Sequence, residues 1–230
     1  MKVVSLLASV GISITLASCT TSSASGDILS PISSPGSNSP VASVNFEEVK
    51  LQNLQDMQSA YTNEVTTHKK YEAYAKQARK EGYAQIALLF EATSIAENIH
   101  AQNHRSVLEE MQSSIPDVNP QFVVNSTKEN LLEAIGTETI EAASIYPKFM
   151  NNAMVIGNEL SHVSLNYAYQ TEQKHKPLYE KALAALESNS LSSLPKVYYV
   201  CPTCGNTYAS DAPGRCGVSM TNSEEFIRVK

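Results

Sequence analysis

Tryptophan is absent from this 230-residue chain, and Lys and Arg (17 together) are outnumbered by Asp and Glu (23), for a net charge of −6. A net negative chain lacks the excess of cations that displaces counterions from a polyanion, so nucleic-acid binding is not expected. No apolar run spans a bilayer comfortably; the candidate, Val3 to Leu16, is too short. Cysteine is scarce: of four residues, one is Cys19 and three lie within the last 30 positions. What the chain does have is a 42% apolar fraction, enough for a sizeable core. It also has five histidines, two of which end the Glu-x-x-His pairs Glu97-Asn98-Ile99-His100 and Glu172-Gln173-Lys174-His175.

The N-terminal region reads as processing and tether. Lys2 and the apolar segment are followed by Leu16-Ala17-Ser18-Cys19, which resembles the lipobox of a bacterial lipoprotein signal. That resemblance implies cleavage after residue 18 and a lipid on Cys19. The product would be exported and anchored to a bacterial cell membrane, on the periplasmic or outer-membrane side. Residues 19–45, rich in Ser, Thr and Pro without hydrophobic periodicity, read as a flexible tether.

From Phe46 the pattern becomes helical. Positions 54, 57, 61, 64, 68, 71, 75 and 78 form a stripe at steps of 3 and 4, ending near Gly82. A second stripe runs from Ile86 to Met111 through Glu97 and His100. A third runs from Leu131 through Glu138, Glu141, Ile145 and Phe149 and ends near Gly157. A fourth runs from Leu165 through Glu172, His175 and Tyr179 to Leu186. Glu64, Glu97, Glu138, Glu141 and Glu172 fall where a bundle interior is apolar. Isolated buried carboxylates cost several kcal/mol, about enough to demand pairing or a metal. Each Glu-x-x-His places both side chains on one helix face.

Spacing ties the set together. Glu64 and Glu97 are 33 apart with Gly82 near their midpoint; Glu138 and Glu172 are 34 apart with Gly157 near theirs. Folding at those points brings each pair level on antiparallel helices. Gln112 to Thr127, with Pro116 and Pro120, suits a long crossover between the halves. The sequence therefore predicts an all-α four-helix bundle over residues 46–190, with an internal repeat of about 75 residues and the donor layout of di-iron carboxylate proteins.

The resemblance is to the rubrerythrin family, whose bundle is ferritin-like. It is carried by Ser59-Ala60-Tyr61-Thr62-Asn63-Glu64, Tyr71, Tyr74-Ala75-Lys76, Lys80-Glu81-Gly82-Tyr83, residues 90–100, and Glu138-x-x-Glu141 with Ile145-Tyr146-Pro147-x-Phe149. It implies two irons held by Glu64, Glu97, His100, Glu138, Glu141, Glu172 and His175, with Glu141 and His100 alternating on one iron. Tyr71 and Tyr146 would hydrogen-bond ligand carboxylates. It further implies a peroxidase-type oxidoreductase acting on hydrogen peroxide or oxygen. Electrons from an unknown donor would pass through a C-terminal module of the partner subunit in a head-to-tail homodimer. An iron-binding or ferroxidase-like lipoprotein is the alternative. His68, four after Glu64, is open between an extra ligand and a supporting group; His104 reads as packing or as support.

Residues 195–230 contain Cys201-Pro202-Thr203-Cys204-Gly205 and Cys216-Gly217-Val218-Ser219, and resemble a rubredoxin-like β module. Its fourth ligand position is Ser219. Iron bound by three cysteines and Ser219 or water, structural zinc, and a metal-free module with Cys201 and Cys204 oxidised all fit the sequence.

Overall fold

The computed structural model describes residues 45–230; the signal segment, Cys19 and the tether to residue 44 lie outside them. The described chain is helical up to residue 187, apart from turns and the crossover at residues 111–126, and ends in a small antiparallel sheet. Helix α1 (Phe46–Lys80) and α2 (Ala84–Glu110) form the first hairpin. The second hairpin has a segmented first arm, α3 (Thr127–Ile140), a π-helical turn (Glu141–Ile145) and α4 (Tyr146–Val155), followed by α5 (Glu159–Glu187). No described helix is long and apolar enough to cross a membrane.

The ends follow local chemistry. At both hairpin corners the chain needs a left-handed residue, supplied by Gly82 (φ +88°) and Gly157 (φ +68°). Ser126 and Glu129 form a capping box at the start of α3. Asn158 caps α5 by accepting the Ser161 N–H at 3.1 Å. The crossover, residues 111–126, is pinned where Gln58 donates to the Ser114 carbonyl (3.2 Å) and Tyr74 to the Val123 carbonyl (3.2 Å).

The sequence reads the third helix as continuous, but the structure widens it at Glu141–Ile145, where the Tyr146 N–H reaches back to the Glu141 carbonyl. Pro147 follows at the start of α4 and has no N–H to offer a regular ladder.

Two apolar clusters fill the bundle on either side of a polar middle. One contains Tyr71, Phe90, Leu131 and Tyr179. The other contains Met57, Leu108, Tyr146 and Leu165. The C-terminal strands β1 (Tyr198–Val200), β2 (Thr207–Ala209) and β3 (Ile227–Val229) are ordered β2-β1-β3, with Tyr198 opposite both Ala209 and Val229. Bundle and module pack as one compact unit.

Candidate metal centre

All five interior glutamates are buried, from Glu138 at 0% exposure to Glu141 at 6%. The possibility that they face solvent is therefore excluded. Their donor atoms converge with the two histidines into two overlapping groups: Glu64, Glu97, His100 and Glu172, and Glu97, Glu138, Glu172 and His175. Within each group the ligating atoms lie within 4.8 Å of one another. Glu97 and Glu172 belong to both. His100 Nδ1 stands 3.5 Å from Glu64, 3.0 Å from Glu97 and 3.1 Å from Glu172. His175 Nδ1 stands 2.9 Å from Glu172, 3.3 Å from Glu97 and 3.7 Å from Glu138. Glu141 is buried beside the groups but belongs to neither.

Charge at the centre is unbalanced without a cation. Burial, then the neighbouring Glu97, pushes Glu64 up to about 8. Burial and neighbouring carboxylates push Glu138 and Glu141 well above the usual carboxylate range. Against the effect of burial, His100 and His175 hold Glu172 well below it. Both histidines are in turn raised, burial being outweighed by the carboxylates around them. Glu97 Oε1, Glu138 Oε2, both oxygens of Glu172 and His175 Nδ1 are buried without a hydrogen bond, although ion-pair distances are short. Close approach without hydrogen-bonding geometry is what a donor set shows when it is aimed at a cation.

The imidazoles are oriented from behind by the C-terminal module. His100 Nε2 lies 3.1 Å from the Cys204 carbonyl, which can only accept. His175 Nε2 lies 3.2 Å from Thr207 Oγ1, whose own proton goes to the Gly205 carbonyl (3.0 Å). Both Nε2 atoms must therefore donate, which leaves each neutral ring with its Nδ1 lone pair facing the centre. The Cys204 carbonyl also accepts from Thr171 (3.1 Å), and Asn103 donates to the Thr203 carbonyl (2.9 Å). Gly205 (φ +76°) lies so close that a Cβ there would stand 2.5 Å from His100 Nε2. These contacts are within one chain, whereas the resemblance places the module of a partner subunit at the site.

The carboxylates are braced crosswise. Tyr71 of α1 donates to Glu138 of α3 at 2.5 Å. Tyr146 of α4 donates to Glu64 of α1. Behind Tyr71 stands Tyr179, in edge contact with it at 5.5 Å and hydrogen-bonded to Thr93 at 2.5 Å. Behind Tyr146 stands His104, which is held by Ser164 Oγ at 2.7 Å and lowered to about 3 by burial. His104 is thus a supporting group. His68 is turned away from the centre: its Nδ1 meets the Ser94 carbonyl (2.8 Å) and hydroxyl (2.9 Å). The sequence reading missed Thr207, Gly205, Ser164 and Thr93. Of these only Gly205, directly after a Cys-x-x-Cys, carried a local signal.

In the module, Cys201, Cys204 and Cys216 are free, buried and grouped. Ser219 Oγ lies 3.2 Å from Cys201 Sγ. The Cys204 thiol, hydrogen-bonding to Cys201, draws Cys201 down to about 4. A three-thiolate group of this kind suits iron or zinc.

Comparison with known proteins agrees with this donor chemistry. The Rubrerythrin family model matches residues 57–183. Rubrerythrin-2 of Clostridium acetobutylicum is 29% identical over 171 residues, covering 74% of this chain and 92% of that protein. Nigerythrin of Nitratidesulfovibrio vulgaris is 30% identical, covering 75% of this chain and 84% of its own length. A solved structure of nigerythrin in its fully reduced, all-ferrous state superposes with a TM-score of 0.70 at 28% identity, covering 76% of this chain and 86% of that one. The chain belongs to the rubrerythrin family and is a di-iron protein of the oxidoreductase type found there.

Proposed function

We propose that the protein reduces hydrogen peroxide to water (H2O2 + 2 e− + 2 H+ giving 2 H2O) in the middle of its bundle. The observation that carries this reading is the set of orphaned, mutually close donor atoms on Glu97, Glu138, Glu172 and His175, buried between two apolar clusters. When bound, a ferrous pair would supply two electrons and Lewis acidity.

In this reading Glu97 and Glu172, common to both donor groups, would be shared between the two metals. Glu64 with His100 would hold one metal, and Glu138 with His175 the other. Tyr71 and Tyr146 fix one oxygen each of Glu138 and Glu64, so these carboxylates do not wander as charge changes. Glu141 is buried beside the groups, where burial and then Glu64 raise it above the usual carboxylate range, and it would be the residue available to take the place of His100 as a donor. The π-helical turn that begins at Glu141 gives that side chain a locus outside the regular ladder. The Cys204 carbonyl against His100 Nε2 is a direct hydrogen-bonded contact between the module and the centre within one chain, along which electrons could pass.

Lipid on Cys19 would place this chemistry at a membrane surface outside the cytoplasm, with oxygen as a further possible oxidant and a donor of unknown identity. The head-to-tail dimer belongs to the proposal too.

The test is anaerobic addition of peroxide to the reduced protein. Rapid reoxidation of two equivalents is expected, and turnover no faster than in the Glu97→Ala/Glu172→Ala variant refutes the activity. A second reading, an iron-binding or ferroxidase-like lipoprotein with a structural module, is favoured by one observation: Ser219 stands where a thiolate would complete an electron-transfer site. Slow ferrous oxidation with zinc in the module would support it.

A further inference from the structure

Ser219 occupies the fourth corner of the cysteine group, and what it presents to that corner can be worked out from its neighbours. Cys204 Sγ and Cys216 Sγ are 3.4 Å apart, and Ser219 Oγ is 3.2 Å from Cys201 Sγ. A hydroxyl has one proton and two lone pairs. Thr221 donates its proton to Thr203 Oγ1 at 2.8 Å. Ser219 Oγ in turn lies 2.8 Å from Thr221 Oγ1. With a cation in the corner, a Ser219 proton turned to Thr221 would leave the Ser219 lone pairs for the ion. The sulfurs are prepared for a cation as well. Cys216 Sγ receives the Val218 N–H (3.4 Å), the Tyr208 hydroxyl (3.5 Å) and the Asn206 amide (3.6 Å), donors that favour a thiolate.

We propose that Ser219 is the fourth ligand of a tetrahedral metal site completed by Cys201, Cys204 and Cys216, and that the hydroxyl chain Ser219–Thr221–Thr203 presents it as an oxygen donor. The ion is iron or zinc. This rests on reading the module as metal-binding. Three sulfurs and one oxygen make a harder donor set than four thiolates, and a neutral hydroxyl leaves one negative charge fewer on the site. Thr203 is exposed, and its carbonyl is tied to Asn103 of α2 at 2.9 Å, so the hydroxyl chain ends at the joint between module and bundle.

The experiment uses the full chain, stripped of metal and titrated with cobalt(II) alone. Thiolate-to-cobalt absorption reports only the module, because the bundle offers carboxylates and imidazoles. Wild type should develop that band at one equivalent, with the strong visible bands of a tetrahedral ion. Ser219→Ala should lose about tenfold or more in module affinity. Ser219→Cys should bind with a thiolate band about a third stronger, four sulfurs replacing three. Thr221→Val should weaken binding in the wild-type background but not in the Ser219→Cys background. The last pair keeps the test valid if Ser219→Ala does not fold. Equal affinity and spectra in wild type and Ser219→Ala would overturn the proposal, as would a thiolate band that appears only in Ser219→Cys. Cobalt in the bundle is counted separately, as metal without a thiolate band, so failure of the bundle reading leaves a distinct signature.

Discussion

The two hairpins of the bundle deliver the same three donors, a Glu from one arm and a Glu-x-x-His from the other, yet they are closed off differently. The Glu138 brace, Tyr71, sits in a ring cluster with Tyr74, Phe90 and Tyr179, with centroids 5.2–6.1 Å apart. The Glu64 brace, Tyr146, sits against His104 and Ser164, with the buried Glu141 close by in sequence. His104 and Tyr179 are equivalent positions, each four residues after its metal-facing histidine. One end of the centre is therefore sealed by aromatic carbon, and the other is lined with groups that can move a proton or rearrange. A near-symmetric donor set converges on where cations would sit; the asymmetry behind it makes the Glu64 side the better candidate for the proposed chemistry.

The most severe way to break the comparison is to remove a residue both halves share. Glu172→Ala deletes a donor common to both groups, and elemental analysis should find the bundle pair lost altogether, with the module metal retained. Next is Gly205→Ala, which places a Cβ 2.5 Å from His100 Nε2 and forces a strained φ. Reduction of the centre through the module should slow at least about tenfold, as expected when a residue behind a metal-facing histidine is lost. Direct chemical reduction should be unchanged.

The braces sharpen the contrast. Tyr146→Phe strips a hydrogen bond from Glu64 and a partner from His104, whereas Tyr71→Phe leaves an aromatic cluster intact. Each should cost about 1 kcal/mol in denaturant unfolding of the metal-free protein, the usual net worth of a hydrogen bond, and Tyr146→Phe should be the more damaging to turnover.

A pH series on the metal-free protein gives a smaller effect with a definite sign. Glu64 is raised from 4.5 to about 8, so between those values the folded state holds a proton that the unfolded state has released. Stability must then fall as pH rises across that window, and the raised His100 and His175 act in the same direction above their ordinary value of 6.5. Glu172, which is lowered, loses its contribution only as pH falls below 4.5. Thermal unfolding should show a lower midpoint at pH 8 than at pH 5, and loading with metal should remove most of the slope. The smallest expected effect is that of His68→Ala. Metal content should be unchanged and about 1 kcal/mol of stability lost with the Ser94 contacts.

The bundle was legible because its signals are local and periodic. Carboxylates at helical steps, with glycines at the midpoints of Glu64–Glu97 and Glu138–Glu172, are enough to bring the donors level. The braces Tyr71 and Tyr146 were accessible through family resemblance alone, since nothing in their spacing says which carboxylate each will reach. The tautomer-setting contacts were not legible. They depend on where a module about a hundred residues from His100 comes to rest, and on a carbonyl that has no side-chain identity. The π turn was hidden as well: the stripe through Glu138, Glu141 and Ile145 is compatible with a regular helix, and Pro147 marks the strain without locating it.

That turn has a genetic consequence. A π turn holds one residue more than the α turn it replaces. Deleting a single codon between Ala142 and Ser144 would let the ladder close from α3 into α4 as one regular helix, with the downstream face kept in place. Tyr146 would then keep its reach to Glu64, while Glu141 would lose the widened turn that holds it beside the centre. One codon thus separates this layout from a bundle with six donors in simple twofold arrangement, and such a deletion is a compact test of whether the seventh donor matters to the proposed peroxide chemistry.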